Sequence, residues 1–341
     1  MSYHIRRYIL NKLKTKLPKY YSTVEQPEHN LSLVGRNFLE PLDFTAAELK
    51  SLFWTASEFK TISNDEYNIQ DLENKTATLL LSEPNIHFQS SIHLASRILK
   101  IPINVIVDST WENWQFPKDA GRILGKTCDI IFIKSKFHLK AKSLADGAKI
   151  PVIIVSDKRY ANLRALSDIF TLREQFGFLE NLHICWIGAP TSLINTYLLS
   201  MPQFGIKLKF FCCHFLGEKV SPIALSKVRT LGKEFLESCK EASSMEDALA
   251  HSKILVMGAN LGGQKQINEE NCKAADHDFF ILHSMPRTDI EICPTLFESE
   301  RNLTWASYRN CQWILTAFFV RTLTNYKHFT KEPNFIEEKA K

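Results

Sequence analysis

The chain has no Cys-x-x-Cys pair, no cysteine set with histidine at zinc-ligand spacing, and no apolar run near the ~18 residues that cross a bilayer. These absences set aside a zinc module, a dithiol redox motif and a membrane-spanning segment, so the mature protein is expected to be soluble. The eight cysteines, at positions 128, 185, 212, 213, 239, 272, 293 and 311, then read as reduced, mostly buried thiols. A single glycine, Gly188, closes an apolar run, and no dinucleotide fingerprint surrounds it. Acidic residues are missing from the first 24 positions.

That last gap decides the charge balance. The whole chain carries 42 Lys and Arg against 37 Asp and Glu, a formal charge of +5, and six of the cations are Arg6, Arg7, Lys12, Lys14, Lys16 and Lys19. Subtracting those six leaves 36 cations against 37 acids, a charge of −1, so the body makes no general electrostatic claim on nucleic acid. Within the leader, Ile5, Ile9, Leu10, Leu13 and Leu17 alternate with the cations, as in an amphipathic helix with one basic face. A mitochondrial transit peptide over 1–24 fits this pattern; a disordered basic tail is the plainer alternative.

A length of 341 residues exceeds one ordinary core and suits two domains of roughly 150 residues each. Thr45 and Glu48 stand at capping-box spacing, and Leu49, Leu52, Phe53, Ala56 and Phe59 follow at helical intervals, which predicts a helix. Short apolar runs suited to buried parallel strands then alternate with helical patterns: strands over 76–81, 103–107, 129–133 and 151–155, with Pro117 opening a helix. A longer helical pattern over 162–176 leads into a second alternating series with strands over 183–188, 207–213, 254–258 and 279–282. The predicted architecture is α/β, two doubly wound parallel-sheet domains joined by a helix. The boundaries expected are 33–160 and 161–330, with an apolar helix near 311–323 packing back on the first domain.

The run Phe279 to Arg287 contains His283, Ser284, Met285, Pro286 and Arg287, and Leu303 to Asn310 follows before the apolar helix. This order resembles the end of an ornithine transcarbamylase, whose family carries a His-Cys-Leu-Pro-Arg loop and then a Glu-Asn-Arg loop. The resemblance runs from about Leu33 to Tyr326, more clearly from Lys118 onward, and implies a carbamoyltransferase-like fold, a trimer, and no cofactor or metal. A carbamoyltransferase must hold a phosphate dianion, a task suited to helix N-termini, hydroxyls and arginines. The family's Ser-Thr-Arg-Thr-Arg segment corresponds to Leu81 to Ser90, which supplies no arginine and adds Glu83, with His87 as the one group able to become a cation.

The resemblance places Lys134 where the family has an arginine, keeping the charge without the fork. Its His-Pro-x-Gln motif corresponds to Ala161, Asn162, Leu163 and Arg164, of which Ala161 exchanges no proton and Arg164 has no acceptor. As an ordinary helical residue, Arg164 is expected to be solvated. The loops that meet the amino acid correspond to Ala189 to Ser192 and Met257 to Gly263, where Met257 and Leu261 stand in for a carboxylate and a serine. Residual ligand-binding candidates are therefore Lys134, His283, Ser284, Met285 and Arg309, against an architectural role for the same residues. Three functions follow: a mitochondrial matrix pseudoenzyme kept as a scaffold or ligand binder for an unidentified protein or small molecule; a divergent carbamoyltransferase; or, on the leader's charge alone, an RNA-associated protein.

Overall fold

The computed structural model describes residues 31–61, 70–212, 219–259, 266–288 and 290–336. The leader, Cys213, Leu261 and the Gly262-Gly263 pair lie outside them. Chain order gives α1 (Ala46–Thr61), β1 (Ala77–Leu81), α2 (Ile86–Leu99), β2 (Ile103–Val107), α3 (Lys118–Leu124), β3 (Ile130–Lys134), α4 (His138–Ala148) and β4 (Val152–Ser156). After α5 (Asn162–Phe176) come β5 (His183–Gly188), α6 (Ser192–Ser200), β6 (Lys207–Cys212), α7 (Pro222–Thr230), α8 (Lys233–Ser238), β7 (Cys239–Glu241), α9 (Met245–Leu249), β8 (Ile254–Met257), β9 (Phe280–His283), α10 (Pro294–Phe297) and α11 (Thr304–Leu323).

Two parallel sheets result, one in the order β2-β1-β3-β4 and the other β7-β6-β5-β8-β9. The middle strands β1 and β8 are buried along their whole length, as expected of sheets covered by helices on both faces. Strand β2, at a sheet edge, is only half-buried. The predicted capping box forms: Thr45 N–H donates to Glu48 Oε2 at 2.8 Å, and Glu48 N–H donates to Thr45 Oγ1 at 3.3 Å. At the end of β5, Gly188 has φ +145°, and a Cβ there would lie 2.6 Å from the backbone of Gly258, so its glycine is a packing requirement.

The last helix is longer than its apolar run. It begins at Thr304, seven residues before the predicted start, because Trp305, Ala306 and Arg309 face solvent in its first turns while Thr304, Ser307 and Asn310 turn inward. Beyond them the apolar face packs Phe318 against Phe38 and Phe44, and Phe319 against Phe132. These rings belong to the first sheet's side of the molecule.

After α11 the chain folds back over α1 and is held by one carboxylate. Glu58, 1% exposed, accepts from Tyr326 Oη, the backbone N–H groups of Phe329 and Thr330, and the Thr330 hydroxyl, and lies 2.9 Å from His328 Nδ1. The His328 ring stacks on Trp54 at 3.8 Å. Burial pushes the Glu58 pKa up, but His328 and Thr330 together bring it below its ordinary 4.5. A depressed folded-state pKa contributes stability that is complete above 4.5 and lost as pH falls through the lower native value. Thermal unfolding of the Glu58→Gln variant is therefore expected to lose stability relative to wild type at neutral pH, with the gap closing as pH falls below 4.5. A gap independent of pH would contradict this role.

Candidate functional site

The carboxyl ends of β1 and β3 meet where a phosphate-binding loop would be sought. Ser82 N–H donates to the Lys134 carbonyl at 3.0 Å. Beneath them lies Glu112, 3% exposed, whose Oε1 accepts from the hydroxyls of Ser82 and Ser135, both at 2.6 Å, and from Lys136 N–H at 2.8 Å. This buried carboxylate, which belongs to no local sequence motif, ties both strand ends together. Asn85 caps α2 by accepting from Phe88 N–H at 3.0 Å.

Lys134, the candidate cation of this loop, is committed. Its Nζ forms an ion pair with Glu83, and that hydrogen bond, reinforced by the lysine's charge, holds the Glu83 carboxyl below its ordinary pKa. A dianion arriving here meets a lysine already neutralised by a neighbouring acid.

Arg164 lies where α5, β9 and α11 come together. The expectation that it is solvated is wrong: the residue is 7% exposed, reaching from α5 toward β9 and α11. Its Nε donates to Asp168 Oδ2 at 2.9 Å, its Nη2 donates to the His283 carbonyl at 3.2 Å, and its guanidinium lies 4.0 Å from the Tyr308 ring centroid. Burial weakens the guanidinium's hold on its proton, but Asp168 and the surrounding phenols more than compensate, so its pKa is raised and it stays charged. Asp168, fully buried, also accepts from Tyr197 Oη and Ser307 Oγ, both at 2.5 Å. One ion pair thus joins α5, α6, β9 and α11.

The physical reason for the error is local. Arg164 and Asp168 are one helical turn apart, and that spacing permits a paired arginine on a buried helix face. Ala161, where α5 begins, is itself buried and donates its N–H to Thr196 Oγ1 at 2.8 Å.

His87, the one group of this loop able to become a cation, is only partly exposed. It lies in the first turn of α2, edge-on to Tyr308 with ring centroids 4.4 Å apart, and its Nε2 is buried. Burial, then repulsion by Arg164, pulls its pKa to about 3, so it is neutral at physiological pH and offers no charge to a phosphate.

Of the signature-loop residues, His283 is fully buried, with its ring edge-on to Phe297 and its Nε2 3.3 Å from Glu291 Oε2. Burial lowers its pKa despite the opposing charge of Glu291, and what it presents to Arg164 is its backbone carbonyl. Ser284 donates its N–H to the Met257 carbonyl at 2.8 Å, and Met285, 36% exposed, donates its N–H to Tyr308 Oη at 3.3 Å. The Met285–Pro286 bond is cis. Arg287 lies over the Phe297 ring at 3.9 Å.

The structure therefore gathers Arg164, His87, Tyr308, Met285 and the His283 carbonyl, and keeps Lys134 with Glu83 at the end of β1. Arg309 is exposed on α11, one position past Tyr308. In the second sheet's loops, Thr191 caps α6 by accepting from Leu193 N–H, and Met257 is buried within β8. Among the described residues no group of three or more His, Cys, Asp or Glu could hold a metal ion, and no helix is long and apolar enough to cross a membrane. Tyr308 was the participant least visible in sequence, since its ring contacts with Arg164 and His87 join segments more than 140 residues earlier in the chain.

Residues 36–174 match the family described as aspartate/ornithine carbamoyltransferase, carbamoyl-P binding domain. The mitochondrial ornithine transcarbamylase of Gallus gallus is 23% identical over 94% of this chain and 94% of its own length. The mitochondrial ornithine carbamoyltransferase of Aquarana catesbeiana is 23% identical over 89% and 91%. The ornithine carbamoyltransferase of Pyrococcus furiosus superposes with a TM-score of 0.76 at 19% identity, covering 86% of this chain and 98% of that one, and shares the fold.

Proposed function

From the chain's similarity to the aspartate/ornithine carbamoyltransferase family, we propose that it is a carbamoyltransferase-fold protein that no longer transfers a carbamoyl group to ornithine and serves as a scaffold or ligand-binding protein. One observation carries this reading: the cations that a dianion would need are already paired with the chain's own carboxylates, Arg164 with Asp168 and Lys134 with Glu83. Catalysis of this transfer requires donors held ready for charge developing on the donor's carbonyl oxygen and phosphate. Here the guanidinium is committed to a carboxylate and a backbone carbonyl, Ala161 offers no side-chain donor, and His87 is neutral.

The same reading takes residues 1–24 as a transit peptide and the matrix as the protein's place, in keeping with the mitochondrial relatives. It divides the chain near residue 160, keeps a homotrimer, and leaves Lys134, Ser284, Met285 and Arg309 as residues through which a ligand would be met. The alternative, a divergent carbamoyltransferase in which Lys134, His283 and Arg309 share the anion, has less support because the His283 ring is fully buried beside Glu291.

A steady-state assay of the purified full chain with carbamoyl phosphate and ornithine tests the proposal. Citrulline formation is expected to equal the rate without protein. Turnover that scales with protein concentration and disappears on truncating Lys134 would favour the divergent enzyme.

A further inference from the structure

The segment that follows α11 has two anchorages. The first is the Glu58 group on α1, where Trp54 Nε1 also donates to Thr330 Oγ1 at 2.9 Å and Ser51 Oγ lies 3.1 Å from His328 Nε2. The second is Phe335, 5% exposed, whose ring lies 5.5 Å from Lys50 Nζ on α1 and 5.5 Å from the Arg173 guanidinium on α5. Two bonds to backbone carbonyls complete it: Leu179 N–H donates to Phe335 at 3.1 Å, and Arg173 Nε donates to Asn334 at 3.2 Å. Leu179 stands in the loop between α5 and β5, so the segment runs from α1 to the entrance of the second sheet.

Between these anchors the chain touches little. Lys331, Glu332 and Asn334 are exposed, and at the first anchor Lys327 and Phe329 point outward while Tyr326 and His328 are half-buried, the alternation of an extended chain lying on one face. Few buried contacts and an exposed backbone mark a segment that opens at lower cost than the core beneath it. Helix α1 has fastenings of its own: Phe53 packs against Phe170 and Phe204 with ring centroids 5.7 and 5.5 Å apart, and Lys60 Nζ donates to Glu174 at 2.7 Å. Two anchors on one short tether also reinforce each other, because seating either one keeps the other at a high local concentration.

We propose that residues 325–336 are a detachable strap whose Glu58 and Phe335 anchors seat and release as one unit, leaving both sheets folded. The Trp54–Glu58 face of α1 is then a peptide-binding groove, and its occupant is the chain's own C-terminal segment. Release uncovers that groove and frees the loop that enters β5. The strap works in the same way whether or not the protein transfers carbamoyl groups.

Hydrogen–deuterium exchange of the full chain, followed by mass spectrometry, tests the coupling. Phe335→Ala removes only the second anchor, and Trp54→Ala removes the stack and the Thr330 bond of the first while leaving Glu58 in place. Either substitution is expected to speed exchange by roughly tenfold or more at both ends, in peptides covering 326–331 and 178–181. Peptides from β1 and β5 should exchange as in the wild type. Acceleration confined to the substituted anchor would show that the two act independently, and would overturn the strap. Equal acceleration in β1 and β5 would mean that the segment parts only when the whole fold opens, and unchanged exchange at both anchors would mean that these contacts do not hold it; either result also overturns the proposal.

Discussion

Asp168→Ala is expected to cost about 3–5 kcal/mol of folding stability, the range for removing one partner of a buried ion pair. The loss has three parts. Arg164 keeps its charge in a place 7% exposed, with only the His283 carbonyl and the Tyr308 face left to it. Tyr197 and Ser307, each donating to Asp168 at 2.5 Å, lose their acceptor on α5. The connection between α5, α6 and α11 is cut at its centre.

Because most of that cost comes from stranding a charge, the double variant Arg164→Met, Asp168→Ala should be more stable than Asp168→Ala alone, by about 2 kcal/mol or more. Urea unfolding of the wild type, both single variants and the double variant measures the coupling directly. A loss below about 1 kcal/mol for Asp168→Ala, in the range of a solvent-exposed ion pair, would mean that Arg164 is free to leave the cleft and that the site is open.

The alternating architecture was legible in the sequence because buried parallel strands and amphipathic helices have different periods. Helix α5 and strand β5 take up the residues expected of them, 162–176 and 183–188. Strand β7 was not legible: Cys239 to Glu241 is three residues of mixed polarity at a sheet edge, too short to show a period. The start of α11 was hidden by the polar and exposed residues of its first turns.

The cleft was legible only in part. The lack of arginine around Glu83 could be read directly, and so could the lack of a proton-exchanging side chain at Ala161. The fate of Arg164 could not, because a long cation reads as solvated until its partner's depth is known. Asp168 at four residues' distance was the available clue, and Tyr308 and the His283 carbonyl, contributed by distant segments, gave none. Glu112 was invisible for the same reason: its three donors, Ser82, Ser135 and Lys136, gather only once β1 and β3 are side by side.

The second large effect concerns the donor itself. Clamping a doubly charged phosphate takes several charge-assisted hydrogen bonds, each worth ~1.5–3 kcal/mol. Three such bonds at the lower value amount to about 4.5 kcal/mol, more than a thousandfold in affinity. In this chain Lys134 is bound to Glu83, Arg164 to Asp168, and His87 is uncharged. Glu83→Gln, which releases Lys134 without altering shape, should recover only one of those contacts, on the order of a tenfold gain in phosphate affinity.

Isothermal titration of the purified full chain with carbamoyl phosphate measures whether these paired cations can still hold the donor. The expected dissociation constant is weaker than about 1 mM, less than roughly 4 kcal/mol of binding free energy, improved by no more than about tenfold in Glu83→Gln. Micromolar binding by the wild-type chain, with Arg164 and Asp168 in place, would contradict it.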